Sequence, residues 1–124
     1  LTNQLKDDQP IFLQIAEVIE TSIVEGQRNA HDQVPSTNEF AKFYRINPAT
    51  AAKGINLLVD QGILFKKRGV GMFVTDQAKQ IILEKRKNSF YDHYMKPLIS
   101  EARRIHLSKA QLYNWIEEGF IDEN

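Results

Sequence analysis

Apolar positions recur along most of the chain at helical spacing. Ile11, Ile15, Val18, Ile19 and Ile23 share one helical face, with Pro10 in the first turn and Gly26 as the stop. Phe40, Phe43 and Tyr44 form a short stripe after Ser36 and Glu39, whose spacing is that of a capping box. Arg45 and Ile46 make a turn. Asn47 then reads as an N-cap and Pro48 as the first helical residue, where proline's missing N–H costs nothing. In the helix they start, Ala51, Ile55, Leu58 and Val59 lie on one side. Ala49, Lys53, Asn56 and Asp60 lie on the other, with Ala52 at the border.

The period then changes. GILFKKRGVGMFV reads as two strands, about 63–67 and 72–75, joined through Gly69 and Gly71, which tolerate positive φ. Beyond residue 75 helical spacing returns. Ala78, Ile82, Phe90, Tyr94, Leu98, Ala102 and Ile105 follow one path, which Pro97 should kink or break. Ser108 and Gln111 restart it, and Leu112, Trp115, Ile116 and Phe120 make the last stripe. The expected fold is mainly α with a small β-hairpin wing. A winged helix-turn-helix over residues 1–75 is followed by a short two-helix region over 76–124. The stripes of that region need a partner surface, so Phe90, Tyr94, Leu98, Leu112, Trp115, Ile116 and Phe120 are candidate dimer contacts. Six aromatics there (Phe90, Tyr91, Tyr94, Tyr113, Trp115, Phe120) also leave a ligand pocket open.

Composition adds exclusions. The 124 residues contain no cysteine, hence no thiolate site, and the three histidines lack the i, i+4 spacing of a helical metal site. Neither a cofactor nor a metal is expected. Asp7 and Asp8 have no nucleophile–base set around them, so an enzyme is not expected. No apolar run reaches membrane length and no signal pattern opens the chain, so a cytoplasmic protein is expected. Net charge is zero, but residues 28–75 hold seven basic against three acidic residues, a local surplus of the kind that meets nucleic acid. The same fold can also serve as a protein-interaction module without specific DNA binding.

PIFLQI at 10–15, VPSTNEFAKFYRINPATAAKGINLLVDQGIL at 34–64 and RGVGMFV at 68–74 together resemble the GntR family of bacterial transcription regulators. The NPAT turn and the tail resemble its YtrA-like subfamily. The resemblance implies a homodimer that binds double-stranded operator DNA, usually as a repressor, with or without a small-molecule effector. It implies DNA contacts from Ser36, Thr37 and Asn38, from Asn47, Ala49, Thr50 and Lys53, and from Arg68 and Gly69. The residues add Lys42, Arg45, Lys66 and Lys67 as phosphate contacts, with Arg68 reaching the minor groove. The sequence departs from the family pattern at Asn38, where arginine is usual, at Asn47-Pro48, at Ala51 and at Ala30-His31. Asn38 and Asn56 suit adenine and Ala49 a thymine methyl, so an AT-rich half-site is expected.

Overall fold

The computed structural model describes residues 5–122. Helix α1 (Ile11–Val24), strand β1 (Gln33–Val34), helices α2 (Thr37–Tyr44) and α3 (Pro48–Asp60), strands β2 (Leu64–Lys67) and β3 (Gly71–Val74) and helix α4 (Ala78–Phe90) follow in order. A π turn (Tyr91–Met95), α5 (Lys96–Arg104) and α6 (Lys109–Asp122) complete the chain. It divides into two compact units, the first ending at Lys85 and the second beginning at Arg86.

Local chemistry sets the helix ends. Pro10 is the N-cap of α1, one position earlier than its expected place in the first turn, and its carbonyl accepts from Leu13 and Gln14. Gly26, at φ +83°, closes α1: Gln27 N–H reaches Ser22 O and Gly26 N–H reaches Ile23 O, a Schellman motif. Gly62, at φ +80°, ends α3 the same way, with Ile63 N–H on Leu58 O. Both bonds of the Ser36–Glu39 capping box form.

The first unit packs around Ile15, Ile19, Ile55, Leu58, Ile63 and Leu64. Ala78 and Ile82 of α4 join this core, which accounts for the first unit extending past Thr75. Three residues of the expected stripes lie outside it, Ile11 being half-buried. Val18 is 38% exposed and Phe43 57%. On α2 the buried pair is Phe40 and Ala41, and at 100° per residue Phe43 points about 110° away from their midpoint. Glu20, though buried, pairs with Lys85, which also donates to Gln61 Oε1 at 3.0 Å, so α1, α3 and α4 are tied by one ammonium.

The sheet has three strands in the order β1-β3-β2, all antiparallel. The hairpin strands are Leu64–Lys67, which starts one residue later than expected, and Gly71–Val74, which is shifted one residue earlier at both ends. The sequence pattern does not announce β1, because two residues carry no alternation.

In the second unit Pro97 does not stop the helical path. It sits in the first turn of α5, and the π turn before it lets Lys96 N–H bond to Tyr91 O, five residues back. Proline is tolerated in that first turn, and the wider turn lies directly before it. Ser108 Oγ accepts from Gln111 N–H at 3.1 Å to start α6.

Candidate nucleic-acid interface

The second and third helices and the hairpin carry the expected contact residues. Asn47 Oδ1 accepts Ala49 N–H at 2.7 Å, and Pro48 holds N1, so α3 starts where the sequence places it. Replacing Asn47 with alanine should cost about 1 kcal/mol, read as a lower urea midpoint with unchanged slope. Down the helix Ala51, Gly54, Ile55 and Leu58 are buried, while Ala49, Lys53, Asn56 and Asp60 are exposed. Thr50 and Ala52 are half-buried between the two faces.

The first turn of α2 brings exposed Asn38 and half-buried Thr37, and its N-cap Ser36 keeps a hydroxyl hydrogen to donate while its oxygen caps Glu39. Lys42 is exposed on the same helix. Arg45 adopts a left-handed conformation (φ 56°) that ends α2, and its exposed side chain leaves the turn. At the start of α3 Pro48 has no N–H and Asn47 accepts those of Ala49, Thr50 and Ala51, so what favours an anion there is the positive end of the helix dipole.

The wing turn closes with Val70 N–H on Lys67 O at 2.9 Å, with Gly69 at φ +76° and Arg68 exposed at its tip. Strand pleating divides the basic cluster read from sequence. Lys66 projects with Leu64, whereas Lys67 lies on the face of Phe65 and Phe73, its Nζ 4.8 Å from the Phe73 ring centre. Gln33 of β1 braces the tip by donating to Val70 O at 3.0 Å. Gly71, at φ +145°, leaves room for it, since a Cβ there would meet Gln33 Nε2 at 2.4 Å.

Two hollows adjoin these elements. One, of about 880 Å³, runs between α1 and α2 along Val18, Phe40, Phe43 and Tyr44. Burial raises the Tyr44 phenol above its usual pKa, and Arg28 partly opposes this. Glu25, Arg28 and Lys42 in its wall mix charge signs, so charge selects no ligand class. The other, about 510 Å³ and shallow, lies along α3 between Ala49, Ala52, Lys53 and Asn56, and is closed on one side by Phe12 of α1. Sequence reasoning singled out neither Phe12 nor Gln33. Among the described residues no group of three or more His, Asp or Glu is placed to hold a metal, and no helix is long and apolar enough to cross a membrane.

Helix, helix, sharply started third helix and braced basic hairpin define a winged helix-turn-helix protein. The profile of bacterial regulatory proteins of the gntR family matches residues 12–74. The chain belongs to the GntR family. It is 28% identical to the HTH-type transcriptional repressor YtrA of Bacillus subtilis (strain 168), over 94% of this chain and 89% of that one. A GntR family transcriptional regulator from Listeria monocytogenes superposes with TM-score 0.73 at 29% identity, covering 92% and 98% of the two chains. The DNA-binding domain of AraR in complex with operator ORE1 is similar over 60% of this chain and 94% of its own, with TM-score 0.53 and 28% identity. This is a DNA-binding transcription regulator, and its relatives are regulators rather than enzymes.

Proposed function

We propose that the protein is a cytoplasmic repressor that binds a near-palindromic operator as a homodimer, with α3 in the major groove and the wing at the minor groove. The supporting observation is the division of α3. One side is buried in the core, and the other exposes a small alanine, one lysine and one asparagine beside the positive end of the helix dipole. Small Ala49 permits close approach to base edges, Asn56 suits adenine, and Lys53, Lys42, Arg45, Lys66 and Lys67 suit phosphates. Ser36, Thr37, Asn38, Asn47 and Thr50 line the two helix starts, and Arg68 with Gly69 forms the wing tip. Two protomers would set their recognition helices about 34 Å apart on one DNA face.

The second unit supplies the dimer in this reading. Phe90, Tyr94, Leu98, Trp115, Ile116 and Phe120 are exposed in the single chain, and Leu112 is half-buried. So large an apolar surface favours an interface. An effector would act at this unit by binding one of two dimer geometries more tightly.

The test uses a duplex selected from a random pool by the full chain. With about six phosphates neutralised per dimer, the slope of log affinity against log salt should be near −5. Lys53→Ala and Arg68→Ala should each reduce its magnitude by about one for every phosphate left without its cation, and Asn56→Ala should relax preference at one base position. All three variants should keep the wild-type urea midpoint. Wild-type slope and affinity in all three would reject the assigned face, and retention of a protein but no DNA at moderate salt would favour the interaction-module role.

A further inference from the structure

We propose that Phe12, on the first helix, is a positioning residue for DNA recognition, holding the Lys53 ammonium over its ring at the edge of the α3 face. The inference rests on the reading of that face as the DNA side and extends it to a helix outside the helix-turn-helix.

Two independent observations place the ring. Lys53 Nζ lies 4.2 Å from the centre of the Phe12 ring, within cation–π range. The neighbouring residue, Gly54, lets α1 come close enough for this. A Cβ at Gly54 would meet Phe12 O at 2.6 Å and Ile15 Cβ at 3.2 Å. The backbone carrying the ring is thus pressed against the turn of α3 that carries the lysine. Phe12 also walls the hollow that holds Ala49, Ala52 and Asn56, so the ammonium is held beside the groups assigned to base edges.

A lysine on an exposed helix face samples many rotamers, and docking on DNA requires only a few of them. The negative face of the ring narrows the choice while leaving the cation exposed, so less freedom is lost on meeting a phosphate. The ring needs no polar atom for this. Any aromatic with an intact π face will serve, and a branched aliphatic of similar bulk will not.

The experiment is a double-mutant cycle in the full chain, with Phe12→Leu, Lys53→Met and the pair, against a duplex selected from a random pool by the wild-type protein. Phe12→Leu should weaken binding about two- to fivefold per half-site, the range for an exposed cation–π interaction. It should have no further effect in the Lys53→Met background, and Phe12→Tyr should bind as wild type. Additive effects, or wild-type affinity in Lys53→Met, would overturn the proposal; the DNA face falls with it only if Arg68→Ala and Asn56→Ala also bind as wild type. Tighter binding by Phe12→Leu would mean that the ring sequesters the cation, and would also overturn it. Should Phe12→Leu fail to fold, the Lys53 ε-methylene protons of the wild-type chain decide. They should resonate upfield through the ring current, and an unshifted resonance rejects the proposal.

Discussion

A chain ending at Lys85 is expected to be a folded monomer that binds operator DNA roughly 100- to 10,000-fold more weakly than the full protein. The magnitude is that of avidity, since joining two half-site contacts makes the second intramolecular. The point of cutting matters. Ending the chain at Thr75 would strip Ala78 and Ile82, both essentially fully buried, from the core of the first unit. Losing a buried isoleucine alone costs about 2–5 kcal/mol, so that shorter chain would confuse unfolding with loss of the dimer. Ending at Lys85 keeps both residues and the pairing of Lys85 with Glu20. Sedimentation at micromolar concentration should give a dimer for the full chain and a monomer for the truncated one. Trp115→Ala, which removes a half-exposed aromatic of α6, should shift the full chain toward monomer. A full-length monomer, or a truncated chain that still dimerises, would remove the second unit from its assigned role.

Gly54→Ala should destabilise the protein, by up to about 2 kcal/mol, although alanine is the better helix former. Within an isolated helix the change is favourable by about 1 kcal/mol. Here the added Cβ would stand 2.6 Å from a backbone carbonyl of α1, and a backbone cannot swing aside as a side chain does. Overpacking of this kind costs about 1–3 kcal/mol, which outweighs the gain in propensity. Urea unfolding checks the sign. The same variant should weaken operator binding, because separating α1 from α3 draws Phe12 away from Lys53. A higher midpoint would show that the helices part without penalty and that their close approach does not hold the ring in place.

Much of the recognition unit is legible in the chain because its determinants are local. Asn47 and Pro48 start α3 through one bond to Ala49 and one fixed φ, both within two residues. Ser36 and Glu39 cap each other within a turn, and Gly69 closes the wing within four residues. The apolar period marks three of the four buried positions of α3 but only three of the seven in α1, and the exposed Ala49–Lys53–Asn56 face follows as the complement of the former. Where a stripe misleads, as at Phe43, the helix is too short for one more aromatic to tell which side is covered.

Other features are decided only when distant segments meet. Strand β1 exists because β3 offers its free edge, and two residues cannot announce that in advance. Gln33 reaches Val70 across 37 residues, and the positive φ that calls for glycine at position 71 gains a second reason once that amide fills the space of the missing Cβ. Gly54 in isolation is a weak point in a helix; with α1 laid against it, it is the residue that admits the Phe12 backbone and sets that ring under Lys53. The physical reason is common to all of them. Caps, turns and amphipathic faces depend on bonds and periods within a few residues, which a sequence displays directly. The residue that completes a site from another helix depends on how closely two backbones approach, and packing alone determines that distance.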